Sequence, residues 1–116
     1  MTVGLHIESE EQHGVIILRL DGRLDASSSP ILEKALGPYL SKKKNILLDF
    51  LKVDYLSSAG MRLLLSTSKK IKAHEGQMAL SSMNEEVMEI LKMAGFERIL
   101  NVYPTEESAI ASFEML

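Results

Sequence analysis

Apolar residues fall into two kinds of pattern along this chain, short dense runs and helical repeats, and the switches between them mark its elements. Residues 3–8 and 15–20 are short apolar-rich runs that predict strands, and the polar stretch 9–14 between them predicts a hairpin connection. At residues 25–30 three serines precede a proline. That is a helix start: a hydroxyl N-cap, then a residue whose missing N–H is no loss in the first turn. Ile31, Leu32, Ala35, Leu36 and Tyr39 recur at helical spacing and predict a helix to about Leu40. Lys42, Lys43 and Lys44 would end it, where cations oppose the helix dipole favourably; they read as a solvated helix end.

Residues 45–50 carry Ile46, Leu47 and Leu48 without alternation. Such a run predicts a strand buried on both faces, and so a sheet covered by helices. A short loop is expected after Phe50. From Ser58 the apolar positions Met61, Leu64, Leu65 and Ile71 keep helical spacing to about Ala73. Residues 77–81 predict a short strand, and Ser82 with Glu85 reads as a capping box before Val87, Ile90, Leu91 and Ala94, with Gly95 as the stop. Residues 99–102 predict a last strand. Pro104 and Thr105 open a terminal helix with Glu106 and Glu107 in its first turn, carrying Ala109, Ile110 and Phe113 toward the core. The order ββαβαβαβα, with crossovers right-handed, predicts one mixed sheet opened by a β-hairpin, an α/β sandwich.

Composition narrows the function. The 116 residues, 46% hydrophobic, are expected to form one domain spanning residues 1–116. No cysteine is present, which excludes a disulfide framework, a thiolate metal site and a cysteine nucleophile, and suits a reducing cytoplasm. A net charge of −3 lacks the basic footprint that nucleic acid requires. The longest apolar runs are far short of the ~20 residues that cross a bilayer. Glu8, Glu10 and Glu11 stand where a signal peptide would be basic, then apolar. A cytoplasmic protein without direct nucleic-acid or membrane contact is therefore expected.

His6, His13 and His74 are isolated, with no carboxylate or second histidine at ligand spacing, so no metal is expected. Neither GxxxxGK nor GxGxxG occurs, so neither a phosphate loop nor a nucleotide cofactor is expected. The informative segment is Asp49-Phe50-Leu51-Lys52-Val53-Asp54-Tyr55-Leu56-Ser57-Ser58-Ala59-Gly60-Met61-Arg62. Two serines stand at a helix start beside two small residues. On spacing alone such a serine is an ordinary N-cap worth ~1 kcal/mol.

Taken whole, that segment, with Gly22-Arg23-Leu24-Asp25 upstream, resembles the STAS domain family and within it the stand-alone bacterial anti-sigma factor antagonists. Element order agrees across nearly the whole chain. Leu56-Ser57-Ser58-Ala59-Gly60 occupies the place of the family's Asp-Ser-Ser/Thr-Gly helix start, and Gly22, Leu24 and Asp25 match its Gly-x-Leu-Asp. The resemblance implies a phosphorylatable serine at Ser58, with Ser57 as the alternative acceptor. Ser57 replaces the family's common Asp, and Ala59 its Ser or Thr. Implied partners are an anti-sigma factor serine kinase, which phosphorylates the antagonist with ATP, and a serine phosphatase that restores it. The unmodified protein would capture the kinase and free a sigma factor, acting as a monomer or weak dimer and not as an enzyme. Asp25, Asp54, Ser57, Ser58, Ala59, Gly60 and Arg62 are the expected partner-binding residues, although Asp25 and Asp54 also suit turns or caps. Met61 is expected in the core, and Arg62 faces solvent or a partner.

Three rivals stand beside this reading. An aspartate-phosphorylated receiver domain would need an acidic pair after its first strand, and Asp21 has no acidic neighbour. A serine hydrolase using Ser58 would need a general base and a GxSxG elbow, and neither is visible. A constitutive STAS interaction module, in which Ser57 and Ser58 only cap a helix, keeps the fold and drops the switch.

Overall fold

The computed structural model describes residues 4–42 and 44–114. Val3 of the first predicted strand and Lys43 of the lysine trio lie outside them. Five strands form one sheet in sequential order: β1 (Leu5–Gln12), β2 (Val15–Leu24), β3 (Asn45–Leu56), β4 (Gln77–Ser81) and β5 (Asn101–Tyr103). The β1–β2 pair is antiparallel and the other three pairs are parallel. Four helices connect or follow them: α1 (Ser29–Leu36), α2 (Ser58–Ala73), α3 (Glu85–Met93) and α4 (Glu106–Glu114). The predicted mixed α/β fold with an opening hairpin is the one observed.

Sequential parallel strands joined by crossovers of one hand put every crossover helix on the same face. Accordingly Leu32 and Leu36 of α1, Leu64 and Ile71 of α2, and Val87 and Leu91 of α3 share one core with Ile16, Leu18, Ile46, Leu48 and Phe50 of the sheet. The second face is covered by α4, whose Ala109 and Phe113 pack on Val15, Ile17, Leu47 and Ala79. Strands β2 and β3 are thus buried on both sides, which the unbroken apolar run of residues 45–50 predicted for β3.

Several boundaries differ from the sequence expectation, each for a local reason. β1 runs to Gln12, so the hairpin loop is only His13 and Gly14, both at positive φ (52° and 77°), a turn whose twist matches that of the strands. α1 stops at Leu36, and Gly37–Tyr39 forms a 3-10 turn around Pro38. Lys42 and Lys44 consequently lie in the connection to β3 and not in the last turn of α1. The cap of α3 is Asn84, whose Oδ1 accepts from Val87 N at 2.8 Å. Ser82, at φ 64°, lies too far upstream to make the expected capping box with Glu85. β5 is shifted to begin at Asn101, because Phe96–Arg98 closes a further 3-10 turn after Gly95 at φ 77°.

The largest difference is β3, which continues as strand through Leu56 where a loop after Phe50 was expected. Its ladder with β2 shifts register twice, passing from Arg19↔Asp49 to Asp21↔Lys52 and from Gly22↔Val53 to Arg23↔Tyr55. Each shift places one extra residue on β3. Its inward positions therefore fall at Phe50, Val53 and Leu56, every third residue, and the alternation that announces a strand is lost. Gly22 sits at the same irregularity with φ 122°, where any Cβ would run into the Gly4 carbonyl. The Gly-x-Leu-Asp glycine is thus required by a backbone approach.

On the second face, Arg19 anchors the first turn of α4. Its Nε and Nη2 donate to the two Glu106 carboxylate oxygens at 3.0 and 2.8 Å, and its Nη1 donates to Glu10. Beneath them Asp49, 6% exposed, accepts from Leu51 N at 2.9 Å. Burial, with the Glu106 carboxylate close by, pushes the Asp49 carboxyl up, against the Leu51 amide and Arg19. A folded-state value above the unfolded one means that the ionised form is disfavoured in the fold. Stability is then lost as pH rises from the ordinary carboxylate range, about 3.9, through the raised value. Asp49→Asn keeps the acceptor for Leu51 and removes the charge, so it is expected to be more stable than wild type at pH 7, with the two converging below about pH 4. Urea midpoints at the two pH values measure this. A variant less stable at pH 7 would contradict it.

Candidate functional site

The parallel strands β2 and β3 end side by side at Leu24 and Leu56, and the chain beyond each end builds the site. Ser57 N donates to Leu24 O at 2.9 Å, which holds Ser57 extended (φ −93°, ψ 170°) and makes Ser58 the first residue of α2. The Ser57 hydroxyl accepts from Gly60 N at 3.2 Å and is the N-cap. Ser58 is exposed, and its Oγ makes no hydrogen bond among the described residues. Of the two adjacent serines, one is spent on structure and the other is free. Gly60 is buried, and a Cβ there would lie 2.8 Å from Leu24 O and 2.9 Å from Leu24 Cγ. The glycine lets the helix start press against the end of β2.

After β2 the chain turns through residues 25–28, organised by Asp25. Its Oδ1 accepts from Ser27 Oγ at 2.9 Å, Ser28 N at 3.0 Å and Ser27 N at 3.1 Å. The Ser27 hydroxyl and then the Ser28 amide, with a smaller contribution from Arg23, hold the Asp25 carboxyl down at about 2. Buried Ser28 donates from Oγ to Arg23 O at 2.7 Å instead of capping α1. The turn role considered for Asp25 is therefore real. Its second oxygen lies 3.5 Å from Arg23 Nε.

Arg23, Asp25, Ser27, Tyr55, Ser57, Ser58, Ala59 and Arg62 line one open groove of about 500 Å³. Five of the seven residues singled out from sequence, Asp25, Ser57, Ser58, Ala59 and Arg62, meet on this surface. Gly60 lies beneath it. Asp54 is exposed on β3 and does not line it. Met61 is half-buried and packs against the main core. Arg23 and Tyr55 were not singled out. They are paired in the β2–β3 register, and the Arg23 guanidinium sits 4.4 Å from the Tyr55 ring centroid. Both residues stand inside the quoted motifs, but only strand pairing makes them neighbours.

None of the groove residues is a histidine, and His74 caps the far end of α2. Among the described residues no cluster suits a metal ion, and no helix is long and apolar enough to cross a membrane.

Comparison with known proteins gives the family. The chain is 28% identical over 116 residues to an anti-sigma F factor antagonist of Paenibacillus polymyxa, covering 98% of this chain and 99% of that one. It is 30% identical over 102 residues to BtrV of Bordetella bronchiseptica, assigned as an anti-sigma factor antagonist, covering 87% of this chain and 88% of that one. The crystal structure of tm1081 from Thermotoga maritima, with the same assignment, superposes with a TM-score of 0.83 at 25% identity, covering 91% of this chain and 92% of that one. The model of the STAS domain matches residues 6–109, nearly the whole described fold including both motifs, and the chain belongs to the STAS domain family.

Proposed function

We propose that this chain is an anti-sigma factor antagonist: unmodified, it captures an anti-sigma factor kinase through the groove at the start of α2, and phosphorylation of Ser58 releases that partner. A serine phosphatase returns the protein to its capturing form, and a sigma factor is freed while the kinase is held. The full-length likeness to named antagonists supports the general role. The observation that carries the switch is the division of labour between the serines. Ser57 is engaged with Gly60 N, whereas Ser58 is exposed with a free hydroxyl.

The chemistry follows from that position. A phosphate adds about −1.5 to −2 charges and three acceptor oxygens. At the first position of a helix the unpaired amides and the dipole favour an anion, so the helix survives modification. The effect is therefore felt by the partner, through bulk, desolvation and altered charge.

Intact-mass and peptide mapping of the protein from its native cell, with and without phosphatase treatment, tests this reading. Phosphate on Ser58 is expected. Phosphate confined to Ser57 would overturn the assignment. Absence of phosphate under all growth conditions, with Ser58→Ala and Ser58→Asp binding the same partners, would leave a constitutive interaction module. A stability measurement separates the serines without any partner. Ser57→Ala is expected to cost about 1 kcal/mol through loss of the cap, whereas Ser58→Ala stays within about 0.5 kcal/mol of wild type.

A further inference from the structure

We infer that a phosphate on Ser58 is captured within the molecule by Arg62 and Arg23, so that the modified state is a closed ion-paired arrangement and not a free phosphate projecting into solvent. This rests on Ser58 being the acceptor. Arg62 stands four residues after Ser58 on α2, one turn along the same helix face. Helical side chains lean toward the N-terminus, and Arg62 lines the same groove as Ser58. Arg62 is exposed and has no ion pair among the described residues. Arg23 lines the same groove. Its guanidinium is braced on the Tyr55 ring, and its side chain is 54% exposed.

Asp25 is the competing carboxylate, but it holds Arg23 weakly. The Nε–Oδ2 distance of 3.5 Å is at the limit of a hydrogen bond, and the other carboxylate oxygen is occupied by Ser27 and Ser28. The Nη groups of Arg23 remain available to a phosphate, for which a guanidinium fork is the best-matched partner. Before modification the groove thus presents two cations to the partner. After capture both are neutralised internally, and release involves withdrawn attraction as well as added bulk.

The test uses the full chain with phosphoserine installed at position 58 by genetic-code expansion, followed by phosphorus NMR across pH. The second phosphate ionisation, near pH 6 for an unperturbed phosphoserine, is expected to lie lower in the wild-type background than in Arg23→Ala/Arg62→Ala by about half a unit, roughly a threefold change in proton affinity. Helix amides act equally in both proteins, so the difference reports the arginines alone. It should shrink in 1 M salt. Equal thermal midpoints of the two unphosphorylated proteins confirm that the variant is folded. Coincident titration curves would overturn the inference whatever the native kinase does. Conversely, absence of phosphate on Ser58 in the cell would overturn the functional reading while leaving a measured NMR difference intact.

Discussion

Ser58→Asp is expected to weaken capture of the anti-sigma partner about 100-fold, whereas Ser58→Ala binds as wild type does. The asymmetry follows from the position of the side chain. Ser58 Oγ is tied to nothing within the described protein, so removing it costs the free molecule little. In a docked complex the same position lies among Asp25, Ser57, Ala59 and Arg62, and a fixed anion there must be desolvated or matched. Like-charge juxtaposition or an unpaired buried charge at an interface costs several kcal/mol, and about 3 kcal/mol corresponds to about 100-fold. Aspartate is shorter than phosphoserine and carries less charge, so it sets a lower bound on the effect of the phosphate. Calorimetric titration against the partner recovered with Ser58→Ala measures both variants. Equal affinities for Ala and Asp would remove the switch from this site.

Gly60→Val is expected to destabilise the fold by about 3 kcal/mol, a fall in thermal midpoint of about 10–15 °C. Gly60 is buried where α2 begins, and even a Cβ would sit 2.8 Å from Leu24 O, 2.9 Å from Leu24 Cγ and 3.0 Å from Leu56 Cδ1. The nearest atom is backbone and cannot swing aside. It is also the carbonyl that receives Ser57 N, so relief of the clash pulls the cap away from the end of β2. Overpacking of this kind costs typically 1–3 kcal/mol for an added methyl or two, and the few tenths of a kcal/mol that valine gains over glycine in helix propensity do not offset it. Urea denaturation, with an unchanged dependence on denaturant, measures it. A loss below about 0.5 kcal/mol would show that the contact relaxes freely. The groove residues should also lose partner affinity in this variant, because the glycine sets how closely Ser57 and Ser58 approach the Asp25 turn.

The serine pair shows how far local sequence reaches. Two hydroxyls before a helical repeat announce a cap without saying which residue provides it. The choice was made by Leu24, more than 30 residues upstream, whose carbonyl takes the Ser57 amide and so starts the helix at Ser58. Asp25 behaved differently: its turn role was readable from the following serines, because its hydrogen bonds close within three residues. The Ser82–Glu85 capping signal misled because the cap is Asn84, whose Oδ1 accepts from Val87 N three residues on, so that the helix begins only at Glu85.

The order of elements, the double-sided burial of β3 and the location of a serine pair at a helix start were determined by the sequence itself. Those features rest on apolar periodicity and capping chemistry, which act over a few residues. The full length of β3, the meeting of Arg23 with Tyr55 and the freedom of Ser58 beside the spent Ser57 were decided only by tertiary structure. Two register shifts between β2 and β3 set all of them. An extra residue in one strand changes which side chains face each other, yet it leaves no mark in local periodicity except the loss of the strand pattern.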